Sequence, residues 1–167
     1  PLGTSPGHEL AGRVVDGPAG SGLGDGLYAV SPNVSCGRCP FCRTGRTNLC
    51  SRGGPGIGLG RDGGLAELVD APVANLAPIP EGVDAVTASL TEPLAVTVRG
   101  VGLGGVGPDS RVLVLGAGAI GLCAALVARD RAAHVAISAR HPHQRAAAEA
   151  MGVAAVGEDE VTDWGRE

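Results

Sequence analysis

The chain has 167 residues, 44% of them apolar, and its 13 basic and 17 acidic side chains leave a net charge of -4. That balance provides no steering field for nucleic acid or an anionic membrane surface. The apolar share suffices for a core, while 29 glycines and 12 prolines point to tight turns rather than a helical bundle, with no collagen period or low-complexity run.

In chain order, residues 7–15 open with Gly7-His8-Glu9 and continue as a strand-like run. Residues 17–26 are a glycine-dense loop, and Leu27–Val30 is a second short strand that delivers the chain into Cys36-x2-Cys39-x2-Cys42-x7-Cys50. A short loop with that spacing can present four sulfurs tetrahedrally to one zinc ion, and with every position taken by protein the site is structural rather than catalytic. Two disulfides are the alternative, but they suit small, secreted, cysteine-dense chains, and here a single further cysteine, Cys123, stands elsewhere. A nucleic-acid-binding zinc knuckle is the other alternative; it calls for a basic surface and stacking aromatics, whereas this chain has one Phe, one Tyr and one Trp.

After a second glycine-dense stretch at 53–64, the runs 65–69 and 73–77 read as short strands, with Pro78 and Pro80 marking the exit. From Asp84, a candidate N-cap, the chain turns helical through 94–101. A domain boundary is expected near Glu92. Short strands between glycine turns predict a small, irregular β-barrel-like domain before it.

The second half follows strand, turn, helix, strand order. Arg111–Leu115 has the length of a buried parallel strand; Gly116-Ala117-Gly118-Ala119-Ile120-Gly121 follows directly, then a helix over 122–131. His134–Ser138 is the next strand, 144–151 a helix closed by Gly152, and 153–156 a third strand, together a doubly wound α/β unit. Glycine spacing alone is a weak signal, but here it follows a strand and opens a helix. Gly116 allows the tight turn, Gly118 lets backbone approach a pyrophosphate, and Gly121 lets the helix pack close, so a dinucleotide site is expected, with a glycine-rich turn that holds no ligand as the alternative. No carboxylate stands at Ser138-Ala139-Arg140 to take the ribose hydroxyls of NAD, and a small residue followed by Arg suits the 2′-phosphate of NADP. His141 and His143 read as exposed loop residues, with phosphate contact as the alternative. Cys123, Met151 and Trp164 read as packing residues.

All 13 basic residues are Arg, which excludes lysine chemistry within these residues. The apolar stretch 111–127 is broken by glycines and is no membrane span, and with no visible targeting segment the cytoplasm is expected. The start at Pro1 and the close over 161–167 suggest a piece cut from a longer protein.

Gly7-His8-Glu9, Gly24-Asp25, the four-cysteine lobe, Gly63-Gly64-Leu65-Ala66-Glu67, Glu92-Pro93-Leu94-Ala95-Val96 and the Gly116–Gly121 turn, in this order, resemble the zinc-dependent medium-chain dehydrogenase/reductase family of alcohol and polyol dehydrogenases. The resemblance covers essentially the whole chain and is closest to the sorbitol and threonine dehydrogenase side. It implies an α/β chain with a partial GroES-like catalytic domain over 1–92, carrying the zinc lobe 36–50, and a partial Rossmann NAD(P)-binding domain over 93–167. His8 is then a catalytic zinc ligand, Glu9 a ligand or exchangeable neighbour, and Glu92 the remaining ligand or a carboxylate near the zinc-bound water. The family's first ligand, a cysteine upstream of Gly-His-Glu, and its Ser or Thr proton relay have no counterpart and would precede Pro1. The implied protein acts on a small alcohol or ketone, with zinc and NADP or NAD, as a homodimer or homotetramer without nucleic acid or membrane. Two readings compete: a zinc-independent quinone or enoyl reductase, and a non-catalytic stretch that only binds zinc and nucleotide.

Overall fold

The computed structural model describes residues 3–132, 134–157 and 159–164. Pro1 and residues 165–167, at the two ends read as cut, lie outside the described residues. The chain divides into two units, Pro1–Glu92 and Pro93–Glu167.

In the first unit, β1 (Ala11–Arg13), β2 (Leu27–Val30) and β3 (Leu76–Pro78) form an antiparallel sheet in the order β1-β2-β3. Ala11 pairs with Ala29 and Val30 with Leu76, so β2 is central, and Tyr28, Ala29 and Val30 are buried. The buried Tyr28 ring keeps its hydroxyl satisfied by accepting from the Gly24 N–H at 2.9 Å. Between β2 and β3 lie α1 (Pro40–Arg43) and a 3-10 turn at Thr47–Leu49.

The expected strand over 7–15 is only three residues long, Ala11–Arg13, because only these lie opposite β2. The expected strand at 65–69 is absent. The N–H groups of Gly63, Gly64 and Leu65 donate to Ser5, Gly7 and Pro6, but 66–69 finds no backbone partner among the described residues, and Leu65 and Leu68 stay exposed. A short apolar run makes a strand only where a neighbouring strand takes up its N–H and C=O groups. The run 73–77 also differs: Val73–Asn75 is a 3-10 turn and the strand begins at Leu76. Asn75 decides this, since its buried amide donates to the Ser31 carbonyl at 2.6 Å and the Asn33 carbonyl at 3.1 Å, which holds the chain in a turn.

Asp84 caps α2 (Ala85–Ser89) as expected, accepting from the Val86 N–H at 2.9 Å, the Thr87 N–H at 3.0 Å and the Thr87 hydroxyl at 2.7 Å. α2 packs on β1 and β2. α3 (Thr91–Leu103) follows, with Glu92 in its first turn, where a carboxylate complements the helix dipole.

In the second unit, β4 (Arg111–Leu115), β5 (His134–Ser138) and β6 (Ala154–Val156) form a parallel sheet in that order, joined by α4 (Ala119–Arg129) and α5 (Pro142–Ala150). Ala117, Ala125, Ile137, Ala139, Ala148 and Val153 make the core, with Met151 and Leu122 packed against it. Alanine on α4 and α5 lets both helices lie close to the sheet. α4 starts at Ala119 rather than 122, because the Leu122 N–H already donates to the Gly118 carbonyl. After α6 (Val161–Trp164), Arg111 lies over the Trp164 ring at 5.0 Å, so Trp164 packs. No helix among the described residues is long and apolar enough to cross a membrane.

The Thr87 hydroxyl, then the Thr87 and Val86 N–H groups, hold the Asp84 carboxyl below its ordinary pKa. Its stabilising contribution is therefore present above the ordinary carboxylate range and fades as pH falls through the depressed value. Asp84→Ala lowers the urea midpoint at neutral pH, and the gap between variant and wild type closes on acidification. A gap that persists at low pH contradicts the cap.

Candidate functional site

The loop after β2 brings Cys36, Cys39, Cys42 and Cys50 together, with one sulfur from each and all four within 4.8 Å of one another. Cys39 Sγ lies 3.4 Å from Cys42 Sγ and 3.9 Å from Cys50 Sγ, and Cys36 Sγ lies 4.0 Å from Cys42 Sγ. A tetrahedron of zinc–sulfur bonds of about 2.3 Å has edges of about 3.8 Å. A disulfide needs about 2.05 Å. All four thiols are free, and the spacing fits one zinc ion rather than two bridges.

Local structure builds this cluster. α1 follows Cys39 with Pro40 in its first turn and places Cys42 one helical turn on, and the 3-10 turn at Thr47–Leu49 returns Cys50. The Cys36 N–H donates to Cys50 Sγ at 3.3 Å, which ties the two ends of the lobe together. The thiols are unequal. N–H groups of Arg38 and then Cys39 pull Cys36 down to about 6, the Cys42 N–H lowers Cys39, and burial pushes Cys42 up to about 11.

A feature not extracted from the sequence surrounds the lobe. No Asp or Glu stands between Asp25 and Asp62, while Arg38, Arg43, Arg46 and Arg52 are exposed there without a carboxylate partner among the described residues. Arg46 lies over the Phe41 ring at 5.5 Å. Zinc with four thiolates carries two net negative charges, and this arginine collar offsets them. The signal was legible as a local charge run, but the net charge of the whole chain masked it.

His8, Glu9 and Glu92 form a second cluster, again with one donor atom from each within 4.8 Å of the others. His8 and Glu92 are half-buried and Glu9 is exposed. One imidazole and two carboxylates make a nitrogen–oxygen donor set that a divalent metal accepts, and three protein ligands leave positions for other groups. Glycine packing fixes where His8 stands. Gly7 has φ +101°; a Cβ on Gly58 would lie 2.0 Å from the Gly7 carbonyl oxygen, and one on Gly63 would lie 2.2 Å from it. Three backbone segments thus meet with no room for a side chain. This is the physical content of the Gly63-Gly64 motif. A cleft of about 400 Å³ beside β1, lined by Leu10, Tyr28, Leu68 and Val73 among others, includes neither His8 nor Glu92.

In the second unit Gly116 has φ +96°, and a Cβ on Gly121 would lie 1.9 Å from the Gly116 carbonyl oxygen, so helix and turn are in direct contact. Gly118 is the N-cap of α4 and makes no side-chain cap. The first N–H groups of α4, from Ala119 and Ile120 to Gly121, precede the first intrahelical bond, donated by Leu122 to Gly118, and are suited to an anion. Ser138 ends β5, Ala139 is fully buried, and Arg140 is exposed immediately after it. His141 caps α5, its N–H donating to Gln144 Oε1 at 3.2 Å, and its exposed ring stacks on His143 at 5.6 Å. Cys123 is half-buried on α4, apart from the cluster of four.

A closed sulfur site, an open nitrogen–oxygen site and a glycine turn opening a helix on a parallel sheet define a chain built to hold metal and dinucleotide. The family model of the alcohol dehydrogenase GroES-like domain matches residues 1–81. L-galactonate-5-dehydrogenase of Escherichia coli (strain K12) is 40% identical over 147 residues, covering 83% of this chain and 41% of the relative. Sorbitol dehydrogenase of Halalkalibacterium halodurans is 37% identical over 135 residues, covering 79% of this chain and 39% of the relative. A solved protein of Sinorhizobium meliloti 1021, assigned as a zinc-binding dehydrogenase and bound to NADP, superposes with TM-score 0.84 at 40% identity, over 93% of this chain and 46% of that one. The chain belongs to the zinc-dependent medium-chain dehydrogenase/reductase family, its antiparallel part GroES-like and its parallel part of the Rossmann type. It spans less than half the length of these relatives.

Two outcomes follow from the geometry. Zinc must displace the proton of Cys42, held up to about 11, whereas Cys36 is already ionised above about 6. Chelator competition should therefore show zinc affinity rising with pH by about tenfold per unit or more, and more steeply below the Cys36 value; pH-independent affinity contradicts this. Gly63→Ala should displace the Gly7–His8 backbone, weakening metal uptake at His8 while leaving the four-cysteine zinc in place. Equal loss at both sites in metal analysis contradicts the proposed packing role.

Proposed function

We propose that this chain is the zinc- and NAD(P)-binding portion of an oxidoreductase that transfers hydride between NADP or NAD and the CH–OH group of an alcohol or polyol. The observation that carries the reading is the convergence of His8, Glu9 and Glu92 in a unit that also holds a separate, closed four-sulfur cluster. On this reading residues 1–92 are the catalytic domain and 93–167 the cofactor domain, with Cys36, Cys39, Cys42 and Cys50 holding a structural zinc. Relatives acting on L-galactonate and sorbitol support a polyhydroxylated substrate. A homo-oligomer in the cytoplasm is part of the same reading.

Bound at His8, Glu9 and Glu92, zinc supplies Lewis acidity toward a carbinol or carbonyl oxygen, and the nicotinamide supplies or accepts the hydride. His8 serves as the neutral nitrogen ligand, held in place through Gly7 and its contacts with Gly58 and Gly63. Glu92, in the first turn of α3, serves as a ligand or accepts a hydrogen bond from a nearby water, while the exposed Glu9 is the exchangeable neighbour. The N–H groups of Ala119, Ile120 and Gly121 bind the pyrophosphate, and Gly116 and Gly118 admit it to the backbone. With Ala139 in place of a carboxylate, Arg140 can pair with a 2′-phosphate, which supports NADP.

The test has two arms on the purified protein. NADPH and NADH titrations with Arg140→Ala should show a loss for NADPH of about tenfold or more with little change for NADH, as removal of a charge-assisted contact predicts. Unchanged relative affinities overturn the NADP assignment. Nicotinamide absorbance with a polyol panel, on a chain long enough to complete the cofactor domain, should show turnover that His8→Ala abolishes. Turnover indifferent to His8 and to chelation would favour a zinc-independent reductase instead.

A further inference from the structure

We propose that Ser138 is a positioning residue that clips the glycine turn to the end of β5, holding the pyrophosphate and adenosine-ribose ends of the nucleotide site in register. The proposal rests on the reading that this chain binds NADP or NAD. The β4–β5 ladder ends at the pair Leu115↔Ser138. Gly116 then turns away with φ +96°, so its N–H lies one step past the last paired residue. Ser138 Oγ accepts that N–H at 3.0 Å, so a side chain takes over where the ladder stops.

Gly116 is therefore held through both of its backbone polar groups: the N–H by Ser138, and the carbonyl oxygen by the close approach of Gly121, where an added Cβ would lie 1.9 Å away. Ser138 is pinned in turn, because the next residue, Ala139, donates its N–H to the Val156 carbonyl at 3.0 Å and is fully buried. The chain consequently leaves the sheet toward Arg140 in one direction, fixed relative to the turn. Because the bond acts on the turn that any nicotinamide dinucleotide uses, its loss must affect NADPH and NADH alike. A direct contact to the 2′-phosphate would affect NADPH alone.

Ser138→Ala and Ser138→Thr in the whole chain separate these roles. Dissociation constants for NADPH and NADH are measured by titration, and exchange of the Gly116 amide by nuclear magnetic resonance without nucleotide. Ser138→Ala should weaken both dinucleotides by the same factor, about 3- to 10-fold, and speed Gly116 exchange, as expected for one lost hydrogen bond. Ser138→Thr keeps the hydroxyl on a β-branched residue suited to a strand and should restore both. A loss confined to NADPH, or an unaltered Gly116 amide in Ser138→Ala, overturns the clip. If the wild-type chain binds neither dinucleotide, the cofactor reading and this proposal fall together; normal binding with an unresponsive amide sinks the clip alone.

Discussion

Four sulfurs held within zinc-bonding distance of one another are the constraint on which the first unit depends. Thiolates repel, and the loop that carries them has little else to order it: Cys39 is buried, but Phe41 and Leu49 are exposed, and the local secondary structure is one four-residue helix and one 3-10 turn. A loop with so small an apolar core cannot offset its own conformational entropy. A metal closing the loop supplies the missing free energy, and the collar of Arg38, Arg43, Arg46 and Arg52 moderates the charge that the loaded cluster carries. The thiols also divide the work, since Cys36 is ionised early and Cys42 yields its proton only to the metal.

The second constraint is backbone contact. At Gly7, Gly58 and Gly63, and again at Gly116 and Gly121, segments approach more closely than any side chain permits. The first contact sets His8 and the second sets the start of α4. Functional groups are thus carried by backbone that has almost no freedom to shift. This explains why both candidate sites fall beside glycines, at His8 in one unit and at the start of α4 in the other.

Much of this was legible in the sequence. The strands of the parallel unit read residue for residue at Arg111–Leu115 and His134–Ser138, because short, largely apolar runs alternating with helical segments leave few alternatives. Cysteine spacing pointed to the thiol cluster. What did not read was pairing. The run 65–69 is short and apolar like a strand, yet finds no ladder partner among the described residues, and 73–77 begins as a turn because the Asn75 amide bonds back to Ser31 and Asn33 across more than forty residues. Nor does composition reveal that Ser138 faces Gly116. Such facts depend on partners distant in sequence. The convergence of His8 and Glu9 with Glu92 is the same kind of fact, expected only through family resemblance and brought together by the fold.

The central claim is that the first unit holds two chemically distinct metal sites, one of sulfur and one of nitrogen and oxygen. Titration of the metal-free chain with cobalt(II), followed by visible and near-ultraviolet absorption, tests it most directly. The account predicts a tight first equivalent with intense sulfur-to-metal charge transfer, then a weaker uptake without it that disappears in His8→Ala. Cobalt bound without any thiolate signature, or a second uptake that persists without His8, would contradict it.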